Sequence, residues 1–508
     1  MFYLLFDFCC ATVFFRLHSF GNHVCFVFVR SMINDIGNKL INELGVIPTD
    51  DQNNLISKLS EFVASYYSPD FRDHVFIIRG YAGTGKTSIV AAMVKALPKV
   101  GLKSVLLAPT GRAAKVLSHY SGHPAFTIHK KIYRQKSSTN GFGDFVLDKN
   151  PHKRTIFIVD EASMISNNAA ENSVFGSGKL LDDLFEYVYS GDMCKIILVG
   201  DTAQLPPVGL DISPALDSKA IDDIGFSVSQ IELKQVVRQA GQSGILHNAT
   251  YLRQAIAAGE KGYPQLTTKN FADVRRIKGG ELIETIENCY DKSGIENTIV
   301  LCRSNKTANL YNEGIRRRIL WHDEEIARGD LLMIVKNNYF WLSEEEQKTT
   351  PFLANGDIAE ITRVGKYREL YGFRFAEVDL RIIDYDLEIH TYILLDTLTS
   401  EAPALTSEQN MRLFNAVMED YADIGNKRER IKKVKENPYF NALQVKFCYA
   451  ITCHKAQGGQ WQNVFIDHGW LTEDMVNTEF MRWLYTAFTR PTQQLYLVNF
   501  SDNFFKSE

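Results

Sequence analysis

At 508 residues the chain has length for about three or four domains, each with a core of its own. Apolar residues make up 45% and charged residues 23%, an ordinary globular balance that excludes a disordered or collagen-like chain. The net charge of −4 carries no global signature of nucleic-acid binding, so any such contact has to come from a local basic groove.

The first 30 residues are rich in Phe, Val and Cys, unlike the rest. Their uncharged runs are too short to span a membrane, and Asp7 and the lack of a basic start argue against a signal peptide. Ordinary sequence begins at Met32, so residues 1–31 read as an atypical segment preceding the true start of translation. Cys9, Cys10, His18, His23 and Cys25 match no zinc spacing, and the eight cysteines include no Cys-x-x-Cys pair. Reduced thiols in a cytoplasmic protein follow.

Residues 74–79 form an apolar strand that runs into Gly80-Tyr81-Ala82-Gly83-Thr84-Gly85-Lys86-Thr87. This is the phosphate-loop pattern: glycines let the backbone N–H groups point inward at phosphate oxygens, and the following helix, residues 87–97, adds its N-terminus. Lys86 reaches the β- and γ-phosphates and the Thr87 hydroxyl binds Mg2+. Residues 104–108 are a second buried strand, ending in Pro109-Thr110-Gly111-Arg112. Residues 133–152 carry Asn140-Gly141, a strong hairpin-turn signal, followed by Phe142 and Phe145.

The run 155–159 ends in Asp160-Glu161, two carboxylates with separable roles. Asp160 suits Mg2+ as a hard oxygen ligand, and Glu161 suits the base that activates water. Alone, such a pair reads as a solvated acidic turn; behind a phosphate loop it reads as a hydrolytic site. Residues 195–199 form another strand, ending in Gly200-Asp201-Thr202-Ala203-Gln204, with Gln204 near a γ-phosphate. Ligands of open α/β sheets gather at the carboxyl ends of the strands, where these polar residues lie.

Arg316–Arg318 read as a solvated face, and residues 427–435 as a basic helical run. Between 329 and 446 the pattern turns to short strands at 331–335, 358–364, 376–383 and 392–395. Near the C-terminus, Thr452-Cys453-His454-Lys455-Ala456-Gln457-Gly458 precedes a strand at 463–467, and Tyr485-Thr486-Ala487-Phe488-Thr489-Arg490 precedes one at 494–499. An arginine so far along the chain yet beside a strand end suits an arginine finger reaching across a cleft. No nuclease-like carboxylate cluster stands out.

The ordered set Gln52, GYAGTGKT, APTGRAA, TIH, DEAS, GDTAQLPPVG, VVRQ, THKAQG and YTAFTR resembles the superfamily 1 helicases, most closely the RecD-like and Dda-like branch that moves 5′ to 3′ on single-stranded DNA. The resemblance implies an α/β fold of two RecA-like parallel-sheet lobes. The first is expected over 32–245 with a β-hairpin pin at 133–152, and the second over 246–328 and 447–508. An SH3-like barrel with a helical arm is expected at 329–446. It implies that ATP and Mg2+ lie between the lobes, with Gln52, Gly80, Ala82, Gly83, Thr84, Gly85, Lys86, Thr87 and Gly458 around the nucleotide. Lys86, Asp160, Glu161, Gln204, Arg238 and Arg490 carry hydrolysis.

Pro109, Thr110, His129, Phe142, Phe145, Thr452 and His454 match positions that touch DNA, with either Phe equally suited to packing on its own lobe. The implied partner is single-stranded or forked DNA, handled by a monomer in repair or recombination. An RNA helicase of the same superfamily, or an ATP-gated clamp that does not unwind, remains open.

Overall fold

The computed structural model describes residues 22–67, 74–135, 145–168, 176–236, 243–343, 345–346, 352–383, 385 and 387–505, with side chains from residue 30. Phe142 and Arg238 lie outside them, as do the hairpin tip and residues 1–21. A helix over Asn22–Leu44 runs through Met32 and buries Ile36 and Leu40 against the first lobe.

The first lobe is built on a six-stranded sheet. In chain order its strands are β1 (His74–Gly80), β2 (Lys103–Ala108) and β3 (Ala125–Thr127), followed after the small hairpin β4 (Tyr133–Gln135) and β5 (Phe145–Leu147) by β6 (Lys153–Val159), β7 (Asp192–Gly200) and β8 (Ser227–Leu233). Their spatial order is β3-β2-β6-β7-β1-β8, all parallel. Strands covered by helices on both faces must be apolar throughout, which is why Ile156–Val159 and Ile196–Val199 are continuous buried runs rather than alternating ones.

The second sheet takes β9 (Val274–Ile277), β10 (Thr298–Cys302), β16 (Ala450–Thr452), β17 (Trp461–Asp467) and β18 (Pro491–Val498), in the order β16-β10-β17-β18-β9, again all parallel. Between β10 and β16 the chain closes a five-stranded barrel from β11 (Leu331–Ile334), β12 (Ile358–Leu370), β13 (Phe373–Ile382), β14 (Leu387–Leu394) and β15 (Leu443–Phe447). The β12–β13 turn is Tyr371-Gly372, both at positive φ (59° and 71°), the geometry a two-residue hairpin loop requires. Helices Ser407–Glu419 and Lys427–Lys435 bury Leu413, Val417 and Val434 on Phe373 and Phe375 of this barrel.

Arg316 corrects the expectation of a solvated Arg316–Arg318 face. It is 7% exposed, donates through Nε (2.9 Å) and Nη2 (2.9 Å) to the two carboxylate oxygens of Asp330, and lies over the Phe447 ring at 4.3 Å. Asp330 is fully buried and also accepts from the Tyr449 hydroxyl at 3.0 Å. This network fastens the helix Asn305–Arg318 to the entrance of the barrel.

Candidate active site between two parallel sheets

The phosphate loop leaves β1 at Gly80 and enters the helix Lys86–Ala96 directly. Gly85 at φ 84° occupies the left-handed region at the helix start, a conformation that costs a side-chain-bearing residue about 1–2 kcal/mol. Lys86 Nζ donates to the carbonyls of Gly80 and Tyr81 (2.9 Å to the latter), which fixes the ammonium at the mouth of the loop. Thr87 follows in the first turn of the helix. Gln52 is 2% exposed; its Nε2 donates to the Thr84 carbonyl at 3.2 Å, while its Oε1 accepts from the Thr49 N–H in a capping box. Helix start and phosphate loop are thereby welded together.

Asp160 and Glu161 leave the end of β6, two strands from β1 in the sheet order. Burial and the neighbouring Glu161 charge push the Asp160 carboxyl up to about 6, only partly offset by the Glu161 N–H and Lys86. Glu161 sits at φ 52°, a strained position for a non-glycine residue, held by its N–H donating to Asp160 Oδ1 at 2.9 Å. Gln204 is 6% exposed, and its side-chain Oε1 is buried without a hydrogen-bond partner. A buried amide oxygen costs free energy unless something donates to it, so Gln204 Oε1 is an acceptor left unused in this arrangement.

The second lobe reaches this centre from one direction. Arg490, 3% exposed, holds its Nη1 4.0 Å from Glu161 Oε1 while donating to the Gly459 carbonyl at 3.2 Å. Four residues earlier, Thr486 Oγ1 accepts from the Leu205 N–H at 2.9 Å, and Gln457 Nε2 donates to the Leu205 carbonyl at 2.7 Å. Tyr485 O–H donates to Asp201 Oδ2 at 2.6 Å and accepts from the Ala82 N–H at 3.0 Å. Arg112 of the first lobe stacks on Trp461 at 3.9 Å and donates to the Gln460 carbonyl at 3.2 Å. Sequence reasoning assigned no role to Tyr485, Thr486, Asp201, Gln457 or Arg112; all five fall within the quoted motifs, but only folding shows what they touch.

Gly458, at φ 73°, lies on the first lobe's Thr110–Ala113 turn, where a Cβ would stand 2.6 Å from the Ala113 Cβ. Thr110 caps the helix Gly111–Ser121, its hydroxyl accepting from the Ala113 N–H at 3.2 Å, with Pro109 just before it. His129 sits in the short helix Ile128–Ile132, and burial lowers its pKa to about 4 against an opposing pull from Asp183. Thr452 and exposed His454 leave the end of β16. Phe145 departs from the stacking expectation: it is 6% exposed and packs on Tyr339 (4.3 Å between centroids) and Phe352 (6.4 Å). Its ring joins the hairpin base to the barrel entrance, leaving no open face for a base.

Residues 70–281 match the AAA domain family and residues 447–498 the UvrD-like helicase C-terminal domain family. The chain is 23% identical to the ATP-dependent DNA helicase dda of Enterobacteria phage T4, over 78% of this chain and 88% of that protein. It is 23% identical to the uncharacterized protein R530 of Acanthamoeba polyphaga mimivirus, over 83% of this chain and 94% of that one. It is 32% identical to the ATP-dependent RecD2 DNA helicase of Deinococcus radiodurans, over 40% of this chain and 25% of that protein. Among solved structures, Pif1 helicase from Bacteroides in complex with ADP-AlF3 and ssDNA covers 91% of this chain and 95% of that one, at 16% identity and a TM-score of 0.44.

Proposed function

The chain belongs to the superfamily 1 helicases of the RecD-like and Dda-like branch, an ATP-hydrolysing family, and from that premise we propose a translocase that moves 5′ to 3′ along single-stranded DNA and separates the strands at a fork. The observation that carries this reading is the approach of Arg490, from the second sheet, to within 4.0 Å of Glu161 on the first. A hydrolytic centre assembled from two lobes changes when the lobes part, so hydrolysis and relative movement are one event. Movement becomes translocation when the two lobes hold the DNA backbone through separate contacts, here Thr110 on one side and Thr452 and His454 on the other.

In this reading Glu161 orients and deprotonates the attacking water, while Arg490 and Lys86 offset the charge developing on the transferred phosphoryl oxygens. The unpartnered Gln204 Oε1 would accept from the attacking water, and its amide N–H would donate to a phosphate oxygen. Mg2+ fits the residues present: Asp160 is a carboxylate whose charge is disfavoured by burial, and Thr87 offers a hydroxyl at the helix start. One carboxylate, one hydroxyl and phosphate oxygens make a donor set this small cation accepts. When bound, the cation would neutralise phosphate charge.

The test is steady-state ATP turnover with and without single-stranded DNA, beside RNA of equal length and a forked DNA substrate. Strong stimulation by DNA, with strand separation from the 5′ side, is the expected result. Turnover indifferent to any nucleic acid sinks the reading. Stimulation by RNA alone reassigns the substrate, and stimulation without strand separation leaves a translocating or clamping ATPase.

A further inference from the structure

We infer that the Tyr485 hydroxyl is a positioning latch that ties the phosphate loop and the Gln204 loop of the first lobe to the second lobe, so that lobe closure and the hydrolytic geometry rise and fall together. The proposal rests on the helicase reading above for its consequence, but its geometry stands independently.

The topology brings the two partners of Tyr485 to one place. β1 and β7 are adjacent and in register through Arg79 and Gly200, so the loops that follow them, with Ala82 and Asp201, leave the sheet side by side. Tyr485 enters between them from the helix Thr478–Phe488 of the second lobe. Its O–H donates to Asp201 Oδ2 at 2.6 Å, and its oxygen accepts from the Ala82 N–H at 3.0 Å. The ring is 1% exposed, so water does not compete for these groups. Asp201 passes the connection onward, because its Oδ1 accepts from the Ala203 N–H at 2.9 Å.

The next residue completes a bracket. Thr486 accepts from the Leu205 N–H at 2.9 Å, so Ala203 and Leu205, the two residues flanking Gln204, are both fastened to consecutive residues of one second-lobe helix, one through Asp201 and one directly. The same stretch delivers Arg490, whose Nε donates to the Thr486 carbonyl at 3.1 Å. Parting the lobes therefore has to break the Tyr485 bonds and release both sides of Gln204 while Arg490 withdraws from Glu161. A hydroxyl that donates and accepts at once suits this task, since it bridges a backbone N–H on one first-lobe loop and a carboxylate on the other.

Tyr485→Phe keeps the ring and removes both bonds. Lobe closure is read by the distance between two fluorescent labels, one on each lobe, during titration with ATP and a non-hydrolysed analogue. The closed-to-open ratio should fall roughly ten-fold for the loss of two modest hydrogen bonds. Base pairs unwound per ATP hydrolysed should fall further than turnover itself. Asp201→Asn should weaken closure in the same way, and the double variant should be no worse than the more affected single. An unchanged closure curve in Tyr485→Phe overturns the latch, as does a uniform loss of turnover and coupling that tracks the melting temperature. Failure of the helicase reading shows separately, as wild-type turnover that DNA does not raise, and leaves the closure measurement intact.

Discussion

At the scale of single residues, the hydrolytic centre makes distinct demands on neighbouring carboxylates. Glu161 is held in a left-handed conformation by Asp160, with Arg490 alongside it. Glu161→Gln keeps the shape and the backbone hydrogen bond but removes the proposed base, so ATP turnover should fall by about 10²–10⁴-fold while nucleotide binding persists, measured by steady-state kinetics beside equilibrium binding. A substitution that leaves turnover within a few-fold of wild type would assign the base elsewhere.

His129 gives a pH-dependent prediction. Burial lowers its pKa to about 4 in the folded protein, against about 6.5 in an unfolded chain. Between these values the unfolded state binds a proton that the folded state refuses. Stability from this group is therefore whole above pH 6.5 and is lost as pH falls toward 4, by an amount on the order of 3 kcal/mol. His129→Gln should flatten the melting temperature across that window; an equally steep decline in the variant assigns acid sensitivity to other groups.

At the scale of elements, short segments do most of the joining. Asp330 binds both nitrogens of the Arg316 fork and the Tyr449 hydroxyl where the second lobe gives way to the barrel. Asp330→Ala strands a buried guanidinium and should destabilise the protein by about 3–5 kcal/mol in denaturant unfolding. Phe145 couples the hairpin base to Tyr339 and Phe352. Phe145→Ala should cost about 3–5 kcal/mol as a core truncation. Phe145→Leu, which retains apolar volume but no stacking ring, should keep strand separation near wild type; a selective loss of strand separation in this variant would return Phe145 to a DNA-facing role.

At the scale of the whole molecule, the decisive arrangement is one second-lobe segment, Tyr485 to Arg490, inserted among the phosphate loop, the Asp201–Leu205 turn and Glu161. A net charge of −4 means that DNA must be held by local contacts rather than by a general positive field. Affinity for a single strand should still fall linearly with the logarithm of salt, by about 0.7 per phosphate neutralised, in a fluorescence titration. A slope near zero would exclude backbone contacts as the basis of binding.

The class of chemistry and the sheet architecture are both legible in the amino-acid order. A glycine loop between an apolar strand and a helix has few physical uses, and adjacent carboxylates at a strand end acquire theirs from that loop. Runs such as Ile156–Val159 and Ile196–Val199 are apolar at every position because both faces are covered, which makes a parallel sheet legible without coordinates. Which side chains from distant segments meet is settled by folding alone. Arg316 looked like part of a solvated basic face because nothing local reveals Asp330 opposite it, and Phe145 stayed open between stacking and packing because its partners lie roughly 200 residues further on. Tyr485 carries no local sign of its two hydrogen bonds: its partners Asp201 and Ala82 are 284 and 403 residues away along the chain, and long-range packing alone brings them within bonding distance.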